Sequence, residues 1–378
     1  MLLVVNAGSS SIKLAVFDQA LRQVLAGSVT EIGGDSRLNL GDAGGPVAAP
    51  DHTAALRLIL AGLETRGVAP RQLSAAGHRV VHGGRDLIAP ARVTPALLRA
   101  IAACAPLAPL HNPHNLAAIR ALQSIAPALP QVACFDTAFH ATNPEVARRY
   151  AIPVAEDAKG IRRFGFHGLS FASLVARLPD LSGAPLPRRL LALHLGNGAS
   201  LCAILAGQSV ATTMGYSPLD GLTMGTRAGA IDGNAVLRLA TDHGIDGASR
   251  ILNRESGLLA LGGASDMGRL SRSRAPKARF AVQHFCYWAV RHAGSMIAAM
   301  GGVEAVAFTG GIGENAPAIR AAIMDGLGWA GLSADAASNR QGAARLHTDG
   351  SAVAAWIVPA TEERQIAAET MRCLGLQR

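Results

Sequence analysis

Three stretches of this chain set small residues beside hydroxyl, amide or charged side chains in a way that suits an anion. The first is Asn6-Ala7-Gly8-Ser9-Ser10-Ser11-Ile12-Lys13, between the apolar runs Leu2–Val5 and Leu14–Phe17. Glycine lets backbone N–H groups approach phosphate oxygens, and consecutive N–H groups form a nest. Hydroxyls add donors, and an ammonium adds a point charge for phosphoryl transfer. Lys13 is one of only three lysines in 378 residues, so its place in this turn stands out from a basic surface. The second stretch, Gly196-Asn197-Gly198-Ala199-Ser200, again lies between apolar runs. The third, Gly310-Gly311-Ile312-Gly313-Glu314-Asn315, follows the apolar run Ala305–Phe308. No GxxxxGK[ST] loop and no dinucleotide fingerprint accompanies them.

Charged groups beside turns come next. Arg79 and Arg227 lie in glycine-flanked apolar segments, where an unpaired charge is expensive and where arginine suits bidentate recognition of carboxylate or phosphate. Asp136 ends the apolar run Val132–Phe135, a position where doubly wound proteins put working side chains. Glu362 follows the run Ala355–Val358 in the same manner. A carboxylate, or an amide such as that of Asn6, is the oxygen ligand Mg²⁺ takes beside substrate phosphates. His111 and His167 sit in Pro- or Gly-rich turns without metal-type spacing.

The elements that must carry these residues read as alternating strands and helices. Residues 2–17 and 189–205 are two hairpins of the same design, which points to duplicated α/β halves facing each other. Leu56, Ile59, Leu60 and Leu63 fall on one face of a helix over 53–64. Thr94 reads as the cap of a helix opening at Pro95. Residues 107–115 read as a turn opening a helix through Leu122, and 131–136 as a short strand. The segment 18–50 is Gly-rich and weakly periodic.

Composition narrows the class. Nearly half of the residues are apolar, 49%, enough for a sizeable core. No apolar run approaches the about 20 residues of a membrane span, and no signal peptide is readable, so a cytoplasmic protein without membrane contact is expected. The five cysteines are odd in number and never in CxxC, and they read as buried thiols rather than bridges or zinc ligands. A net charge of +9 raises nucleic-acid binding. The densest basic stretch, Arg269–Arg279, lacks interleaved aromatics, so a solvated basic surface or an enzyme of anionic substrates fits better.

The strings VVNAGSSSIK, GHRVVHGG, LAPLHNP, FDTAFH, RRFGFHGLS, HLGNGAS, GYSPLDGLTMGTRAG, FTGGIGEN and PATEE occur in this order along the chain. In this the sequence resembles the acetate kinase family of short-chain carboxylate kinases, within the superfamily of sugar kinases, actin and heat-shock chaperone ATPases. The resemblance implies an α/β protein of duplicated ribonuclease-H-like (actin-like ATPase) domains with a nucleotide cleft between them. The first domain would span 1–142 plus a returning helix in 364–378, and the second 143–363. It implies transfer of the ATP γ-phosphoryl to acetate, with propionate or another short-chain acid as the alternative acceptor. Mg²⁺ is the implied metal, Mn²⁺ its substitute, and the implied assembly a homodimer.

Carried over by motif, Asn6 and Glu362 resemble the magnesium residues, and Ser9, Ser11 and Lys13 the phosphate loop. Arg79 and Arg227 would hold the carboxylate and the moving phosphoryl. Asp136 is similar to an acid/base or metal-orienting residue, and His167 to a transition-state stabiliser. His194, Leu195, Gly196, Asn197 and Gly198 resemble one nucleotide loop, and Gly311, Ile312, Gly313, Glu314 and Asn315 another. Asp266, Met267 and Gly268 would lie by the base. Val81, Leu110, Phe166 and Pro218, with His111, would surround the acid. Two departures stand out. Ala230 replaces a carboxylate near Arg227, and Gly268 replaces an arginine that in the family lies against adenine.

Overall fold

The computed structural model describes residues 1–376, which divide into two compact units. One comprises Met1–Phe139 and the chain from Thr361 onward, and the other His140–Ala360. The chain thus changes unit at 139/140 and again at 360/361, against the expected 142/143 and 363/364.

In the first unit the strands are β1 (Leu2–Ala7), β2 (Ser11–Phe17), β3 (Gln23–Thr30), β4 (Arg37–Leu40), β5 (Ala43–Pro46), β6 (Ala75–Val80), β7 (Ala91–Arg92) and β8 (Gln131–Phe135). They form one sheet in the order β5-β4-β3-β2-β1-β6-β8-β7. β1 to β5 run as an antiparallel meander, while β6 is parallel to β1 and β8 is parallel to β6. The second unit holds β9 (Arg189–Leu195), β10 (Ala199–Leu205), β11 (Gln208–Thr212), β12 (Ala305–Thr309) and β13 (Ala354–Ile357), in the order β11-β10-β9-β12-β13. Its first three strands are antiparallel, and β12 and β13 continue in parallel from β9. Without β4, β5 and β7 the two sheets share one order. The fold is therefore the expected duplicated ribonuclease-H-like α/β architecture.

The central strands are apolar on both sides because both sides are covered. Leu3, Val5, Leu14 and Val16 pack with Leu56, Ile59 and Leu63 of the helix His52–Glu64 in one core. The helix Glu362–Leu374 packs on β1, β6 and β8. Gly77 allows that approach, since a Cβ there would collide with Thr370 Oγ1 and lie 2.7 Å from Ile366 Cγ2. Thr94 caps its helix as expected, its side chain accepting from Leu97 N at 3.1 Å.

One segment gains elements that its sequence does not signal, and two expectations need correcting. The weakly periodic segment 18–50 holds β3, β4 and β5, an edge meander with one face largely open to water. The third Gly-rich stretch is a strand-to-helix junction, with a short helix Gly310–Asn315 directly after β12. Not all cysteines are buried: Cys104 is half-buried and Cys373 exposed.

Candidate active site

In the first unit the ends of β1, β6 and β8 bring Asn6, Arg79 and Asp136 together. Asp136 is 1% exposed and accepts from Arg79 Nε at 3.0 and 3.1 Å and from Nη2 at 2.5 Å. Arg79 Nη1 donates to Asn6 Oδ1 at 3.4 Å. Burial alone would lower the Arg79 pKa, but Asp136 and then Glu362 outweigh it and hold the guanidinium above its usual range. Burial pushes the Glu362 carboxyl up; Arg79 opposes this, while Asp136 and Glu363 add to it and Lys13 opposes. Three carboxylates thus share two cations.

Two asparagines that the sequence reading passed over fix these strand ends. Both stand in the first turn of the helix Asn112–Ile125 and are buried. Asn115 donates to Ala7 O at 2.7 Å and accepts from Val81 N at 3.1 Å, so it ties the end of β1 to the end of β6. Asn112 pairs with both backbone groups of His82, at 2.9 and 3.0 Å. Their spacing in His111-Asn112-Pro113-His114-Asn115, one helical turn, was the available signal. The turn between β1 and β2 closes through Gly8 N to Ser11 O at 2.7 Å, and His52 Nε2 donates to Gly8 O at 2.8 Å. Ser9 and Lys13 are exposed and Ser11 half-buried.

In the second unit His167, His194, Gly198 and Arg227 converge. A Cβ on Gly198 would lie 2.6 Å from Arg227 Nη2 and 3.2 Å from His167 Nε2. The rings of His167 and His194 stack with centroids 4.1 Å apart. Arg227 Nη1 donates to Pro218 O at 2.6 Å. No carboxylate among the described residues pairs with this half-buried arginine. Burial accordingly lowers its pKa.

Beside these residues a cavity of about 460 Å³ is lined by Gly196, Asn197, Ser265, Asp266, Met267, Gly268, Gly311, Ile312, Asn315 and Ala316. It draws on the three second-unit segments expected to meet the nucleotide and adds Ser265 and Ala316, while Ser9, Ser11 and Lys13, also expected there, belong to the first unit. Asn197 Oδ1 occupies the space a side chain at Gly225 would take. Two residues of these segments, Asp266 in the cavity wall and Glu314 outside it, have structural work of their own. Asp266 caps the helix Met267–Arg272, accepting from Arg269 N at 2.6 Å. Glu314 Oε1 accepts from Gly310 N at 3.0 Å and Ala360 N at 2.9 Å, stapling the β12 junction. The Leu195 side chain is wholly buried, and Gly313 packs over Phe308.

Of the residues expected around the acid, Val81, Leu110 and His111 belong to the first unit and Phe166 and Pro218 to the second. Val81 and Phe166 are buried, whereas Leu110 is 47% exposed.

The model of the acetokinase family matches residues 1–368. An acetate kinase of Rhodopseudomonas palustris is 42% identical over 390 residues, covering 98% of each chain. One of Deinococcus radiodurans is 42% identical over 390 residues, covering 99% of this chain and 98% of its own. The crystal structure of Porphyromonas gingivalis acetate kinase matches at a TM-score of 0.92 and 34% identity over 99% of both chains. A propionate kinase from Francisella tularensis matches at 0.93 and 32% identity, over 98% of this chain and 99% of its own. By sequence and by fold, the chain belongs to the acetokinase family.

Proposed function

We propose that this chain transfers the γ-phosphoryl group of ATP reversibly to acetate, giving acetyl phosphate and ADP, with propionate the alternative acceptor. The observation that carries the reading is the convergence of Arg227 and His167 on Gly198. A half-buried guanidinium without a carboxylate partner calls for an anion, and a glycine between two strands leaves room for one.

A carboxylate oxygen attacks the γ-phosphorus in line. The new P–O bond forms as the bond to the β–γ bridging oxygen breaks and ADP leaves. Acetate is already ionised at pH 7, so no strong general base is required, and positioning and charge neutralisation carry the acceleration. Arg227 and His167 would meet the charge on the moving phosphoryl. Arg79 would offer the carboxylate the N–H groups that Asp136 and Asn6 leave over, and Asp136 would orient Arg79. The Gly8–Lys13 turn, His194–Gly198 and Gly311–Asn315 would hold nucleotide, with Asp266, Met267 and Gly268 at the base.

Mg²⁺ fits the first-unit set. Burial and neighbouring carboxylates disfavour the Glu362 anion, and a dication relieves that cost. Asn6 and Glu362 supply the hard oxygen donors it takes, and Mn²⁺ suits the same donors. When bound, the metal would neutralise charge on the phosphate oxygens.

Exposed Phe280 and Tyr287, seven residues apart on the helix Pro276–Met300, support a homodimer, which light scattering would test. Free thiols and the use of ATP support a cytoplasmic location. No helix of the described residues is long and apolar enough to cross a membrane.

The test is acyl-hydroxamate formation with ATP and a series of acids. Acetate should lead, propionate should fall about tenfold in kcat/KM, and butyrate further, since a methylene in a tight apolar site is worth about 1–3 kcal/mol. Equal kcat/KM for butyrate would overturn the roles given to Val81, Leu110, Phe166 and Pro218. No product with any of the acids would overturn the kinase reading itself.

A further inference from the structure

His167 is held in a conformation its own chemistry disfavours. Its φ is +58°, in the left-handed region, at the start of the helix Gly168–Ser182. A side chain with a Cβ rarely stays there unless its surroundings impose it. Several groups do so. The wholly buried His140 donates Nε2–H to the carbonyl of Phe166 at 2.9 Å, one residue before His167. The His167 ring stacks on His194. Its Nδ1 lies 2.9 Å from the hydroxyl of Ser200.

Ser200 is 0% exposed, on β10 directly after the Gly198 turn. Among the described residues its hydroxyl has His167 Nδ1 as its one hydrogen-bond partner. A buried hydroxyl with a single acceptor in reach gives its proton to that acceptor, because leaving it unmet costs desolvation without return. Nδ1 therefore accepts, and the ring proton is on Nε2. Nε2 is the atom that faces Gly198 together with Arg227 Nη2. A doubly protonated ring would orphan the Ser200 proton and set a second positive charge beside that guanidinium.

We propose that Ser200 is a positioning residue. It donates its O–H to Nδ1 of His167, holds the ring in the neutral Nε2–H tautomer, and so aims a hydrogen-bond donor at an oxygen of the group that Arg227 binds. The identity of that group as the moving phosphoryl rests on the proposed kinase reading; the tautomer does not. The same arrangement recurs next door, where the buried Ser170 hydroxyl lies 2.8 Å from Nδ1 of His194.

The experiment pairs histidine-selective ¹⁵N NMR of the full chain with kinetics, His167→Ala identifying the resonance. The wild type should show His167 as Nε2–H at neutral pH. Ser200→Ala should shift it toward Nδ1–H or the cation and lower kcat about 10- to 100-fold, with KM for ATP and acetate within about twofold. Ser200→Thr, which keeps the hydroxyl, should retain the tautomer and recover kcat. A wild-type His167 carrying its proton on Nδ1 overturns the proposal even if Ser200→Ala fails to fold. An unchanged tautomer in Ser200→Ala overturns it as well, and so does an unchanged kcat once the tautomer is lost. If His167→Ala itself leaves kcat intact while the tautomer responds to Ser200, the kinase role of His167 fails and the hydroxyl–imidazole assignment stands.

Discussion

Asp136 takes the Nε–Nη2 edge of Arg79 at 2.5 to 3.1 Å, so most of that guanidinium is committed before any substrate arrives. In the proposed mechanism Arg79 therefore has two duties, and Arg79→Ala should show both. Loss of the remaining N–H donors should raise KM for acetate about 10- to 100-fold, the worth of a charge-assisted hydrogen bond. Loss of the partner leaves Asp136 as a buried carboxylate alone, which should destabilise the fold by about 3 kcal/mol. Arg79→Lys should recover part of the stability but little of the KM, since an ammonium cannot bind edge-on. Unchanged urea stability in Arg79→Ala would show that the pair is not a structural one.

Arg227 is the opposite case. Among the described residues its side chain makes one hydrogen bond, to a carbonyl, and pairs with no acid. Arg227→Ala should cost no stability and should lower kcat by about 10²-fold with a smaller change in KM, because in the proposed mechanism its charge meets the moving group rather than the fold. A near-normal kcat would remove it from the transition state. The two arginines look alike in the sequence, each in a glycine-flanked apolar segment, and only the folded chain shows that one is paired and the other is not.

That contrast marks what the residues alone could reveal. Leu2–Phe17, the Leu56/Ile59/Leu60/Leu63 face and the Thr94-Pro95 start were legible because period and capping chemistry are local. The strands of 18–50 were not, since an edge meander with Gly44 and Gly45 and half-exposed faces carries little alternation. Asn112 and Asn115, and the partner of Ser200, were not legible for another reason. Each of the three side chains acts by a hydrogen bond to a residue 30 or more positions away, and a local pattern, even the one-turn spacing of Asn112 and Asn115, does not name the partner.

Stability should fall as the pH drops from about 6.5 toward 4. His78 and His140 are wholly buried, and burial holds both imidazoles down to about 4, although Gln131 and the Phe166 carbonyl pull the other way. Between that value and the ordinary histidine value of 6.5 the unfolded chain binds more protons, so stability rises with pH there and is fully present above it. Each group contributes on the order of 3 kcal/mol at most. Glu362 and Glu369, whose carboxyls burial pushes up, act in the opposite sense and soften the slope. Urea unfolding at intervals from pH 7.5 to 5 should show the decline, and His140→Gln should flatten it. A curve without slope in the wild type would mean that these imidazoles are hydrated.

The last expectation concerns the base. Gly268, which by the family resemblance would stand in place of an arginine against adenine, lines the cavity of about 460 Å³. Sequence order suggests Arg269 as a substitute, but Arg269 is exposed and its backbone N–H is held by Asp266. Arg272 is the better placed, with Nη1 3.4 Å from where a Cβ on Gly268 would be. One turn along the same helix, its guanidinium can do what a side chain at 268 would do. An exposed cation–π contact is worth about 0.5–1 kcal/mol, or about two- to fivefold in binding. Arg272→Ala should therefore raise KM for ATP by that factor and bring GTP closer to ATP, while Arg269→Ala should change neither. Gly268→Arg should sharpen the preference for ATP and make Arg272 dispensable, because the new side chain would take the same place. If Arg272→Ala leaves the ATP-to-GTP ratio unchanged and that ratio is near one, the base site is bare. If the ratio stays high in both arginine variants, discrimination comes from the cavity wall, from Asn197, Ser265 or Asn315, and neither arginine contributes.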